Sequence, residues 1–338
     1  MAIYAQVVIS MLSVIVKAFN EEKGIARCIE SILHETGGME REIIIVDSLS
    51  TDCTVAISKR YPVKVVQFIN RHDCGCGSAP QLGYQVSKGD LICLIDGDME
   101  MIPGFLNAAI SYLADNISVA GVGGVLVDRS TKTVVEKTRS ERYQKIKDIL
   151  DVSSLGGGGV YRREAIARIG YFSHKGLKAL EEMELGLRLL AAGWHLVRLP
   201  LPSVIHTGHD ESYAQSMIRL LKNGRLAAYG VLLHSSWGRK WFIRTLLLNW
   251  FVAAPIVLIF MTVLTYCLVN NYSPLSVGLT ESAFFVLTIV VAGLGIKKKS
   301  IKLSLLSIAS WFIVTVASIP GLVKPVPDPN EPIRFRLL

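Results

Sequence analysis

The sequence predicts an α/β domain with a ligand crevice, followed by interfacial helices and three transmembrane helices. Two observations carry this. Across the first half, short apolar runs that end in polar residues alternate with segments of helical spacing. Near the end, three apolar runs of about the length that crosses a bilayer core follow one another.

The 338 residues are 51% hydrophobic and only 19% charged, and the excess is uneven. From Thr245 to Val323 the only acidic residue is Glu281, whereas the chain before Trp241 has the mixed charge of a soluble domain. The boundaries read as residues 1–210 for the α/β domain, 211–244 for amphipathic interfacial helices, 245–323 for the spans and 324–338 for a Pro-rich tail. A net charge of +8 raises nucleic acid as a partner, but no basic stripe is interleaved with aromatics. The basic residues flank the apolar runs, where they face anionic membrane lipid. Among the six cysteines no paired CxxC spacing occurs, and Cys74-Gly-Cys76 beside His72 is a weak metal signal.

The first apolar stretch lacks a basic n-region, so it reads as the approach to a strand rather than as a signal peptide. That strand, Ser13–Ala18, ends at Phe19-Asn20-Glu21-Glu22, and apolar residues from Ile25 to Leu33 mark a helix. Strands at Glu42–Val46, Val63–Phe68 and Leu91–Ile95 alternate with helices at Thr54–Tyr61 and Ala79–Ser87. Such alternation indicates a parallel sheet buried on both faces, with the ligand crevice at the carboxyl ends of its strands. Helices at Arg163–Ile169 and Glu181–Ala192 and a strand at His195–Leu199 follow. Amphipathic spacing between Glu211 and His234 reads as helices on a membrane surface.

The spans fall at about Leu246–Val269, Val277–Ile296 and Ile301–Val323. Arg239, Lys240 and Arg244 precede the first, and Lys297, Lys298, Lys299 and Lys302 separate the second from the third. By the positive-inside rule the α/β domain is cytoplasmic and the tail from Lys324 emerges on the far side, unless the third run is a hairpin.

The residues with chemistry sit at strand ends. Asp96-Gly97-Asp98 follows Leu91–Ile95. Two carboxylates one residue apart repel unless a cation holds them, and Mg²⁺ or Mn²⁺ also bridges diphosphate oxygens. A plain polar turn is the bland alternative. Asp47 ends the second strand, where it can accept from a base N–H, while Ser50 to Asp52 can simply cap the next helix. Glu181 and Glu182 open a helix, suited either to the helix dipole or to general-base work. His206 and His209 follow the last strand; one of them closing a metal shell competes with an ordinary surface role.

Together these pieces resemble family 2 glycosyltransferases of the GT-A fold. Phe19-Asn20-Glu21-Glu22 is similar to the family's "N-E" element, and DSLSTDCT from Asp47 to Thr54 to its "DDGSTDGT" segment. Gly89-Asp90 through Asp98 matches "GD…D-x-D", Gly157–Gly170 the acceptor-side glycine segment, and Glu181–Arg188 the "E-D-x-x-L-x-x-R" helix. The resemblance covers about residues 11–210. It implies that Phe19, Asn20, Glu21, Asp47, Ser50, Asp96 and Gly157 bind a nucleotide diphosphate sugar. It further implies that Asp98, with Asp96 nearby, holds the metal, Mg²⁺ or Mn²⁺, and that Glu182 stands where the family has its Asp base, with Glu181 in reserve. His206 is expected to close the metal's shell by its position after the last strand. The expected activity is inverting transfer of a single sugar to a polyprenyl-phosphate or lipid-linked saccharide acceptor. No Q-x-x-R-W motif of processive synthases is present, Gln215-Ser-Met-Ile-Arg219 being different. A processive synthase and an inactive, transferase-like membrane scaffold are the alternatives, and oligomeric state stays open.

Overall fold

The computed structural model describes residues 11–130, 134–208, 213–272 and 278–338. The chain forms two compact units, Met1–Arg225 with Val326–Leu338, and Leu226–Pro325. In the first unit β1 (Leu12–Ala18) leads to α1 (Ile25–Glu35), β2 (Arg41–Asp47) to α2 (Thr54–Ser58), and β3 (Lys64–Phe68) to α3 (Ser78–Val86). Next come β4 (Leu91–Asp96), β5 (Met99–Met101), α4 (Phe105–Asp115), β6 (Val119–Asp128) and α5 (Val134–Gln144). They are followed by β7 (Leu150–Asp151), β8 (Gly159–Arg162), α6 (Arg163–Arg168), α7 (Glu181–Ala191), β9 (His195–His206) and α8 (Tyr213–Lys222). The second unit holds α9 (Ala228–Ser236), α10 (Phe242–Leu248), α11 (Trp250–Tyr272), α12 (Leu279–Lys298) and α13 (Ile301–Val323). The chain then rejoins the first unit as β10 (Phe335–Leu337).

The described strands make one sheet in the order β10-β3-β2-β1-β4-β8-β6-β9-β5, with β7 beside β9. Its parallel part is β3-β2-β1-β4, as the β-α alternation of the first hundred residues dictates. Side-chain alternation splits β1 between two cores. Val14 and Val16 pack with Ile25, Cys28 and Ile29 of α1, and Ile15 packs with Leu82 of α3 on the other face. Each fully buried Ile or Val contributes roughly 1.5–3 kcal/mol, so this strand is fixed from both sides. Both charged ends of the sheet's crevice, at Lys17 and Asp96, are therefore held by apolar strands that cannot slip register.

The structure departs from the sequence reading in several places. The sheet is mixed: β8 runs antiparallel to β4 and to β6, and β5 antiparallel to β9. The last strand continues beyond Leu199 through Pro200 and Pro202 to His206, because register shifts against β6 accommodate residues that cannot donate to a ladder. The helix after Thr54 stops at Ser58. The first long apolar helix starts at Trp250, since α10 ends at Leu248 and Asn249 separates the two.

In the second unit, α11, α12 and α13 are each long and apolar enough to cross a membrane. Trp250 meets Trp311 with ring centroids 5.0 Å apart, and Thr315 donates its hydroxyl to the Val252 carbonyl at 2.7 Å. Toward its end α13 crosses α9, where a Cβ on Gly230 would strike the Ser318 carbonyl and one on Gly321 the Ala227 carbonyl. Glycine is required at this crossing because the backbones touch.

The tail corrects the expectation that it lies across the membrane from the α/β domain. Phe335–Leu337 pairs antiparallel with β3. Ile333 is buried and exchanges two hydrogen bonds with the Gln85 side chain, at 3.1 and 2.9 Å. Residues on either side of the second unit thus belong to one folded unit, which a bilayer permits only if an even number of the three apolar helices crosses it. Epitope tags before Met1 and after Leu338 should both require permeabilisation, or both be reachable without it. Tags reachable from opposite sides would break the β3–β10 pairing in the membrane.

Candidate active site

The carboxyl ends of β1, β2 and β4 meet at one corner of the sheet. Lys17 pairs with Asp96 in the β1–β4 register, and its ammonium lies 2.7 Å from the Asp96 carboxylate and 3.2 Å from Glu181. Burial pulls the Lys17 pKa down, but Asp96, Glu181 and Glu182 outweigh it and hold the ammonium well above its ordinary value. This lysine was absent from the sequence reading. Its signal was a cation at the penultimate position of an otherwise apolar strand.

Beyond β1 the two loops expected to bind a nucleotide are laced together. Asn20, at φ +56°, donates its amide to Ser50 Oγ at 2.9 Å and accepts from the Thr51 amide at 2.8 Å. Glu21 donates its amide to Thr54 Oγ1 at 2.7 Å. Ser50 is thus a fastener for the loop, and its own amide donates to Asp47 Oδ2 at 3.1 Å. Phe19 is exposed and lies under the Arg71 guanidinium, 4.5 Å from its ring centre. Arg71 also donates to the Ser48 and Leu49 carbonyls, and so covers the loop after Asp47. Asp47 is fully buried and its Oδ1 has no hydrogen-bond partner among the described residues. A buried carboxylate oxygen left open is costly and fits a ligand N–H.

The acidic turn after β4 separates its two carboxylates. Asp96 turns toward Lys17, whereas Asp98 lies 3.5 Å from His206 Nε2. The His206 ring is held from behind, Nδ1 lying 3.0 Å from Asp128 Oδ1 and 3.1 Å from Arg139, which itself pairs with Asp128. In the tautomer that donates from Nδ1 to Asp128, Nε2 keeps a lone pair for a cation beside Asp98. Asp128 and Arg139 were missed by the sequence reading, since nothing in their spacing links them to His206. His209 lies outside the described residues.

A cation fits the Asp98 side of this turn. Burial, then Asp98, Asp96 and Asp52, push the Glu21 carboxyl up to about 7, a mark of crowded negative charge. Among the described residues no three ligating side chains converge, and Asp98 and His206 are a pair that such an ion would fit. Mg²⁺ and Mn²⁺ sites that handle nucleotides commonly take one or two protein ligands and complete the shell with phosphate and water. The donor set agrees with that arrangement, with Asp96 acting through Lys17.

The start of α7 gives its two glutamates different surroundings. Glu181 faces Lys17. Glu182 accepts from the Gly156 amide at 2.8 Å, the Gly157 amide at 2.9 Å and the Tyr161 hydroxyl at 3.3 Å. Gly156, Gly157 and Gly158 all have φ near +70°, which lets successive amides face one carboxylate. Burial raises the Glu182 pKa, Lys17 lowers it, and Glu181 and Asp96 raise it again. One turn on, buried Glu184 and Arg188 pair at 2.7 Å. Arg188 also donates to the Tyr171 and Phe172 carbonyls at 2.7 and 3.0 Å, fixing α7 against the segment that precedes it.

Residues 13–170 match the family model for glycosyl transferase family 2. This is a family 2 glycosyltransferase domain. The chain is 26% identical over 172 residues to the uncharacterized glycosyltransferase YibD of Escherichia coli K12, covering 46% of this chain and 50% of that one. Against the dolichol-phosphate mannosyltransferase of Pyrococcus furiosus it is 27% identical over 113 residues, or 32% of each chain. The matches thus span half or less of the length of these two relatives. S. aureus TarS 1-349, solved in complex with UDP-GlcNAc, superposes with a TM-score of 0.53 at 14% identity, covering 96% of this chain and 98% of that one. GalNAc-T7 with UDP, GalNAc and Mn²⁺ gives 0.51 at 18% identity, covering 65% and 48%. These likenesses establish the GT-A fold of the first unit.

Arg188→Ala should destabilise the first unit by about 3–5 kcal/mol, because it strands the buried Glu184 carboxylate. A large fall in thermal midpoint checks this, and a midpoint within a degree of wild type would show that Glu184 finds other partners.

Proposed function

We propose that the protein is a membrane-bound, metal-dependent, inverting glycosyltransferase. It moves one sugar from a nucleoside diphosphate sugar to a lipid-linked saccharide or polyprenyl phosphate, with its first unit in the cytoplasm. The observation that carries this reading is the corner where Lys17, Asp96, Glu181 and Glu182 come together at strand ends and a helix start, with Asp98 across the turn beside His206. The family 2 match over residues 13–170 supports sugar transfer, and the TarS and GalNAc-T7 complexes support a nucleotide-sugar donor. The dolichol-phosphate mannosyltransferase relative and the three long apolar helices support a lipid-borne acceptor. Arg239, Lys240 and Arg244 ahead of the first apolar helix support the cytoplasmic side.

In this reading Asp47 takes an N–H of the base, while Phe19, Asn20 and Glu21 line the donor's approach. Asp98 and His206 hold Mg²⁺ or Mn²⁺, which when bound stabilises negative charge on the departing diphosphate. Lys17 keeps Asp96 and Glu181 in place without leaving two adjacent carboxylates unbalanced. The acceptor oxygen bonds to the anomeric carbon as the bond to the diphosphate oxygen breaks, and its electron pair leaves with the nucleotide. The acceptor's proton passes to Glu182. Its Oε2 receives two hydrogen bonds, but Oε1 receives only that of Gly157 and keeps a lone pair for this proton. The pKa elevation by burial makes Glu182 a better proton acceptor than an exposed carboxylate.

Glu182→Gln should lower kcat by roughly 10²–10⁴-fold with a hydroxyl acceptor and change donor affinity little. A phosphate acceptor has no proton to surrender, so near-normal kcat in this variant would remove the base role and favour a polyprenyl phosphate. Because the base works deprotonated and its pKa is raised, the acid limb of wild-type kcat should fall above the ordinary carboxylate range. A pH–rate profile flat down to that range would contradict it. Asp98→Ala should abolish Mn²⁺-dependent nucleotide binding in titration calorimetry, whereas binding that persists in chelator would sink the metal reading.

A further inference from the structure

Three polar side chains stand in one row across the sheet edge. Asp47 of β2 is in register with Gln67 of β3, and Gln67 is in register with Arg336 of β10. Cross-strand partners in register lie on the same face, so the row is continuous from the donor corner to the tail. Arg336 donates from both Nε and Nη2 to Gln67 Oε1, the first at 2.7 Å. With its oxygen taken, the Gln67 amide must point its nitrogen the other way, and Nε2 donates to Asp47 Oδ2 at 2.6 Å. The Ser50 amide fills the second acceptor position on that oxygen. Asp47 Oδ1 is left buried and open.

We infer that Arg336 is a positioning residue for the donor base, acting through Gln67 to leave Asp47 a single accepting oxygen. This rests on the donor reading above and adds a selectivity to it. A carboxylate with one open oxygen suits a base that presents one N–H between carbonyls, as uracil does. Guanine presents adjacent N1–H and N2–H donors, which call for both oxygens of a carboxylate. Without Arg336 the Gln67 oxygen loses both of its donors and the amide is held by Asp47 alone, no longer fixed from the tail side. The row then loses its order although the carboxylate remains. Oδ1 is closed from solvent, so a base reaches it only once the loop after Asp47 or the Arg71 side chain over it has moved.

Arg336 can be altered without undoing the tail. Ile333 stays buried and paired with Gln85, Lys175 holds Glu331 at 2.6 Å, and the Leu338 amide donates to the Val65 carbonyl at 3.0 Å. The test uses the full chain in detergent with Mn²⁺ and three probes: UDP, GDP and ribose 5-diphosphate, which lacks a base. Titration calorimetry on wild type should show UDP binding at least about tenfold tighter than GDP, the scale of one charge-assisted hydrogen bond. Arg336→Ala and Gln67→Leu should each weaken UDP by roughly tenfold and leave ribose 5-diphosphate unchanged, while Arg336→Lys retains most of the UDP affinity. Equal weakening of the base-less probe would reduce Arg336 to a structural anchor and overturn the inference. Wild type binding GDP as tightly as UDP would overturn the single-oxygen selectivity. If ribose 5-diphosphate binds but no base adds affinity, the inference fails and the diphosphate site stands. If none of the three binds, the donor reading itself falls and takes this one with it.

Discussion

Lys17 is a largely buried cation set between Asp96 and Glu181, and the geometry of the corner depends on it. The three residues come from the end of β1, the end of β4 and the start of α7, parts far apart in the chain. Without a cation there, Asp96, Glu181 and Glu182 would repel one another in a poorly hydrated place. Lys17 holds Asp96 on its own side, and Asp98 turns to His206 across the same short turn. The two aspartates of the DGD sequence therefore have different neighbours, Lys17 for one and His206 for the other.

The glycine segment and α7 are bound by a second constraint of the same kind. Glu182 gathers the Gly156 and Gly157 amides, whose positive φ angles are open to glycine but strained for other residues. The carboxylate orders the loop, and the loop in turn sets which oxygen remains accessible. A glutamate in place of the family's aspartate is longer by one methylene, and here that length is used to reach the loop's backbone. Glu184 and Arg188 fix the helix from which this reach is measured.

Much of this was legible in the sequence. The apolar strands ending at Asp47 and Asp96 were visible because burial on both faces demands unbroken Val, Ile and Leu runs, and a polar residue at such an end stands out. The glycine segment and the Glu181–Arg188 helix were visible as ordered motifs. What stayed hidden depends on pairing between distant segments. The antiparallel half of the sheet could not be read from local periodicity, because strand direction is set by tertiary neighbours. His206 was legible, but Asp128 and Arg139, which orient its ring, come from separate elements with no common spacing. Gln67 resembles Lys17 in being one polar residue near the end of an apolar strand, a signal of the same form that had no partner until β10 was in view.

The tail strand places a condition on how the sheet corner at Asp47 is completed. β10 follows the apolar helices in the chain, so during synthesis β3 remains an open sheet edge until the second unit has been made. An open edge with unpaired amides is exposed to improper pairing, and Lys64 at the start of β3 gives it some charge protection. Only when residues 333–338 dock does the sheet gain its last strand and Gln67 its arginine. Synthesis of the apolar helices and completion of the Asp47–Gln67–Arg336 row are then linked through connectivity alone. A chain whose second unit strayed to place its two ends on opposite sides of a bilayer would keep Lys17, Asp96 and Glu182 together. It would still lack the strand that orients Asp47.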